Sequence, residues 1–136
     1  MIVVSDTSPV LNLARIGRLE LLPLLYEQVL IPSAVYQELT ASKRDVPPAI
    51  DLASQPWLIV ATPSDQKRVQ ELRENLDPGE AEAIVLAIER RADLLLVDER
   101  RGRRIATAAG LTVTGLLGVI AGAKSWADRL GQAGAR

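Results

Sequence analysis

Ile2-Val3-Val4-Ser5-Asp6-Thr7-Ser8-Pro9 and Leu94-Leu95-Leu96-Val97-Asp98-Glu99 share one plan: a short apolar run followed at once by an acid. Apolar runs of this length, bounded by turn formers, read as strands buried on both faces of a parallel sheet. Comparable runs occupy Gln28 to Ile31, Trp57 to Ala61 and Leu111 to Thr114. Helical signals fill the intervals. Ser8 is expected as an N-cap with Pro9 at the first helical position, in a helix ended by Gly17. Leucine-rich Leu19 to Tyr26, Pro32-Ser33 through Thr40, Ser64 to Asn75, Glu99 to Ala109 and Gly115 to Ala123 read as further helices. Asp77-Pro78-Gly79-Glu80 is a capping box that opens the longest apolar helix, running to Arg91. A short helix is expected near Ile50, inside the polar stretch that carries Pro47-Pro48.

Strands alternating with helices predict an α/β protein, a three-layer α/β/α sandwich around a parallel sheet of all five runs. Ligand sites in such sheets lie beyond the carboxyl ends of the strands, where strand order reverses. An order of 3-2-1-4-5 would bring every acid-bearing strand to the centre. The chain is expected to form one domain over residues 1–136, with a tail at 125–136 that frays.

Composition narrows the chemistry. With 136 residues, 48% hydrophobic and 24% charged, the chain is long enough for a core, which must be aliphatic because Phe is absent. There is no His and no Cys, so imidazole bases, thiolate nucleophiles, disulfides and His- or Cys-ligated zinc are excluded. The longest uncharged stretch, Gly110 to Ala123, is shorter than the roughly 20 residues of a spanning helix. No signal peptide is visible at the start, and a soluble cytoplasmic protein without membrane contact is expected. Net charge is −1, so any nucleic-acid contact must be local: Arg100-Arg101-Arg103-Arg104, Arg90-Arg91 or Lys43-Arg44. A solvated helix face explains any one of these arginines equally well.

The acids carry the functional argument. Asp6 has no evident structural task if Ser8 caps the helix. Glu38 sits at the border of the stripe marked by Val35 and Leu39, where a solvated rim residue is the plain alternative. Glu80 is explained by the capping box alone, and Glu82 falls near the apolar side of the same helix, so either or both serve as candidates. Asp98 is a candidate ligand or the N-cap of the helix that follows it, and Glu99 favours the positive end of that helix. Two carboxylates about 4 Å apart repel by roughly 4 kcal/mol at an effective dielectric of 20. Several together require a cation, and oxygen-only donors select Mg²⁺ or Mn²⁺.

These stretches, together with Val35-Tyr36-Gln37-Glu38-Leu39, Gly79-Glu80-Ala81-Glu82-Ala83-Ile84, Asp98-Glu99-Arg100-Arg101-Gly102 and Val113-Thr114-Gly115, give the chain its resemblance to PIN-domain proteins. The similarity is to the small prokaryotic, VapC-like ribonucleases. It implies the fold and strand order above and Mg²⁺- or Mn²⁺-dependent cleavage of RNA. It also implies a toxin held by a small antitoxin protein, and a homodimer. Asp6, Glu38 and Asp98 match the first, second and last family acids; Glu80 or Glu82 matches the third. Ser8 matches the hydroxyl that helps hold the acids or the substrate. Arg100, Arg101, Arg103 and Arg104 are candidates to grip the RNA backbone. Relatives continue with another apolar segment where this chain has the short, Gly/Ala-rich Ser125 to Arg136. Two rivals stand beside this reading. One is a non-catalytic PIN-like module that binds RNA or protein. The other is a haloacid-dehalogenase-type phosphatase with Asp6 as nucleophile, which normally needs an Asp where this chain has Ser8.

Overall fold

The computed structural model describes residues 1–41, 51 and 54–134, with the side chains of 132–134 left aside. Its strands are β1 (Val3–Ser5), β2 (Val29–Ile31), β3 (Leu58–Val60), β4 (Leu94–Leu96) and β5 (Val113–Thr114). They form a five-stranded sheet in the order β3-β2-β1-β4-β5. Every pairing is parallel, with Val4 opposite Leu30 and Ser5 opposite Leu96. The strands are a residue or two shorter than the apolar runs that announce them. Asp6 follows β1 directly and Asp98 lies two residues past β4, both at the carboxyl edge of the sheet.

The helices are α1 (Thr7–Arg15), α2 (Leu21–Tyr26), α3 (Ser33–Ala41), α4 (Gln66–Leu72), α5 (Pro78–Glu89), α6 (Arg100–Ala108) and α7 (Leu116–Gly134). Successive strand residues point to opposite faces, and this parity divides the core in two. Val3, Val29, Ile31 and Leu96 pack with Val10, Leu13, Leu22, Val35, Leu39 and Val119 on one face. Val4, Leu95 and Val97 pack with Val69, Ile84, Leu86 and Ala106 on the other. The expected three layers follow directly from that division.

Three local expectations are corrected. Asp6, not Ser8, holds the N-cap position of α1, with extended backbone at φ −75 and ψ 175 and no side-chain capping bond. Thr7 therefore takes the first helical position, and Pro9 falls later in the first turn, where its missing N–H is still harmless. The last helix does not stop at Ala123 but runs to Gly134, so most of the tail expected to fray is helical. Leu116, Val119 and Ala123 start a stripe that packs on the α1/α2 side, and no proline interrupts the turns that follow. Asp98 does not cap α6; that position belongs to Glu99. The helix expected near Ile50, and the Lys43-Arg44 pair, lie outside the described residues.

Candidate active site

Strand order reverses between β1 and β4, which opens the crevice at the carboxyl ends of these two strands. Asp6 sits there, tied to the neighbouring strand by its backbone N–H, which donates to Leu96 O at 2.9 Å. The residue is only 3% exposed. Its carboxyl is raised to about 7, first by burial and then by the charges of Asp77, Glu38 and Glu99, with the Thr7 backbone N–H partly offsetting the rise.

Glu38 comes from α3, on the border of the Val35/Leu39 stripe as expected. Its Oε2 accepts the Thr7 hydroxyl at 2.5 Å. The hydroxyl that holds Glu38 is that of Thr7; Ser8 is half-buried and one position further along the helix. The Thr7 contact follows from the start of α1 at Thr7. Only the true helix start, which Pro9 obscured, would have revealed it in the sequence.

Glu80 and Glu82, inseparable in the sequence, part company in three dimensions. The Asp77 carboxylate accepts the Glu80 N–H at 2.8 Å, forming half of the capping box. The Glu80 side chain turns inward, 4% exposed, and its Oε2 is buried without a hydrogen-bond partner. Burial raises this carboxyl to about 8, followed by a side-chain hydrogen bond to Asp77 and the charges of Asp77, Asp6 and Glu99. Glu82 turns to the start of α3, where its Oε1 accepts from the Ser33 hydroxyl at 3.0 Å and from the Ala34 N–H at 3.2 Å. A carboxylate on exposed helix amides is a favourable cap. Glu82 thus serves as a strut that seats α3 on α5, whereas Glu80 is the acid of the two that turns into the crevice.

Asp98 follows β4. One carboxylate oxygen, Oδ1, accepts the Leu116 N–H at 2.7 Å and so caps α7, while Oδ2 is buried without a partner. Asp77 and Glu99, read from the sequence as helix-terminus residues, join Asp6 and Glu80 in one electrostatic group. Their capping value concealed this second role. Asp77, Glu80, Glu99, Arg100 and Arg101 line a cleft of about 530 Å³. Arg101 donates to Asn75 O at 3.2 Å and ties the rim to the loop before α5. Arg100, Arg103 and Arg104 are exposed.

The donor set suits a hard divalent cation: oxygen only, with buried, unpartnered oxygens on Glu80 and Asp98. Among the described residues, however, no three acids stand close enough to share an ion as they are placed.

A family profile described as a PIN domain matches residues 2–127. The chain belongs to the PIN-domain family, whose members are generally metal-dependent nucleases. No curated protein matches the chain. Among the described residues no helix is long and apolar enough to cross a membrane.

Proposed function

We propose that this protein is a Mg²⁺- or Mn²⁺-dependent endoribonuclease, acting in the cytoplasm as the toxin of a toxin–antitoxin pair. The observation that carries the reading is the buried Asp6–Glu80 pair at the strand-order reversal, with both carboxyls driven up by burial and by neighbouring acids. A group of carboxylates kept out of water at a crevice calls for a cation. Asp6, Glu38, Glu80 and Asp98 would hold it. When bound, a divalent ion supplies a polarised phosphate and a water acidic enough to attack phosphorus.

The chain's own residues do the remaining work. Thr7 orients Glu38, and the Leu116 N–H orients Asp98 so that its second oxygen faces inward. Arg100 lines both the acidic cleft and a second groove of about 520 Å³ with Arg103, Arg104 and Thr107. An RNA backbone laid along these arginines passes the acids without its bases being read, since phosphate contacts carry no sequence information. Attack by water leaves a 5′-phosphate and a 3′-hydroxyl, because the neighbouring 2′-hydroxyl is not used.

Asp6→Asn tests the reading in protein freed of contaminating nucleases. Mn²⁺-dependent RNA cleavage should fall at least a hundredfold, and unchanged cleavage removes Asp6 from the chemistry. The antitoxin and the homodimer rest on the family resemblance. A short antitoxin-like reading frame beside the gene and a dimer by sedimentation are the expected findings. The spread of the acids favours one alternative, a PIN-like module that binds RNA or protein without cleavage. Calorimetry separates the two: the nuclease binds Mn²⁺, whereas the binding module holds RNA without it.

A further inference from the structure

Glu38, Glu80 and Asp98 are each seated on a glycine from another segment. A Cβ at Gly79, in the first turn of α5, would stand 2.8 Å from Glu38 Oε1 and 3.0 Å from Oε2. At Gly102, on the buried side of α6, it would stand 2.7 Å from Glu80 Oε2 and 3.2 Å from a Val97 methyl. At Gly115, just before α7, it would overlap Asp98 Oδ1.

Backbone conformation does not explain these glycines. Positive φ occurs at Gly17 and Gly110, which end α1 and α6 with open space around them. Gly102 lies inside a helix, where alanine is the better residue. What glycine supplies there, at a cost to the helix, is volume, and a carboxylate occupies that volume.

We propose that Gly79 and Gly102 are positioning residues that set how close Glu38 and Glu80 approach Asp6. The inference rests on the reading of these acids as cation ligands. A methyl group at either position pushes the facing carboxylate away from its seat, while a side chain one methylene shorter leaves the methyl room. The seat is therefore a relation between two residues.

Double-mutant cycles on the full chain test it, pairing Gly102→Ala with Glu80→Asp and Gly79→Ala with Glu38→Asp. Mn²⁺ affinity by calorimetry and the urea midpoint in chelator are read for each. Gly102→Ala alone should raise the Mn²⁺ Kd about tenfold or more, the loss expected when support for a ligand is removed. Introduced together with Glu80→Asp, it should add less than about threefold to that variant's Kd. The Gly79 pair should behave alike. Parental Mn²⁺ affinity in the folded alanine variants, or equal losses in both backgrounds, would overturn the proposal. Should an alanine variant fail to fold, the shortened acid must restore folding, and failure to restore it also overturns the idea. Absence of Mn²⁺ binding in the parent chain would sink the nuclease reading instead. The urea midpoints then decide the seats alone, coupled effects supporting them and additive effects refuting them.

Discussion

Glu80→Gln should stabilise the metal-free protein, and by an amount that grows with pH. The folded Glu80 carboxyl is raised from 4.5 to about 8. The folded state therefore holds this proton more tightly than the unfolded chain does. Its contribution to stability is complete below about pH 4.5 and is lost as pH climbs through about 8. Because Glu80 is 4% exposed, solvent does not screen the effect away. Ionising it in place costs on the order of 3 to 5 kcal/mol. Glutamine resembles the protonated acid and escapes that cost. Urea unfolding in chelator should give nearly equal midpoints for both proteins at pH 4.5. By pH 9 the variant should be more stable by about 3 kcal/mol, roughly 1.5 to 2 M in urea midpoint for a chain of this size. Parallel pH profiles would show that the Glu80 carboxyl is not raised by burial and neighbouring acids, and the argument for a cation would lose its main support.

Divalent ions should act on the same groups from the other side. Mn²⁺ should raise the melting temperature of the parent chain more at pH 8 than at pH 6 and release protons on binding near pH 7, measurable by calorimetry in buffers of different ionisation enthalpy. Glu82→Gln should weaken the cap of α3 and lower stability by about 1 kcal/mol, while leaving the Mn²⁺ Kd within about twofold. A large loss of Mn²⁺ affinity in that variant would return Glu82 to the ligand set. Arg103→Ala with Arg104→Ala should weaken RNA binding similarly for unrelated sequences. It should also reduce the salt slope by about 0.7 for each phosphate no longer neutralised; an unchanged slope would place the RNA elsewhere.

The elements were legible because their signals are local and redundant, while the strand order came with the family resemblance. Val3-Val4 and Leu95-Leu96 can be satisfied only by burial on both faces of a sheet, and an acid directly after each run marks the carboxyl edge. The candidate site was legible in part. Asp6 was visible as an acid without a sufficient local task, whereas Glu38 read locally as a rim residue and stood out only through the family resemblance. Asp77 and Glu99 were hidden because capping a helix and crowding a crevice demand the same residue at the same place. The N-cap of α1 was misplaced because Pro9 is tolerated throughout the first turn, not at its first position alone.

By itself the chain's residue pattern determined the layers, the acids at the carboxyl ends of their strands and the exclusion of imidazole and thiolate chemistry. Those follow from hydrophobic period and from what is missing. Only the tertiary structure decided that Glu80 enters the crevice while Glu82 braces α3, that Thr7 rather than Ser8 steadies Glu38, and that Asp98 leans on α7. A side chain's direction is chosen by the element packed across from it, here the start of α3 for Glu82 and the open volume at Gly102 for Glu80. That neighbour lies dozens of residues away, where no local pattern reaches.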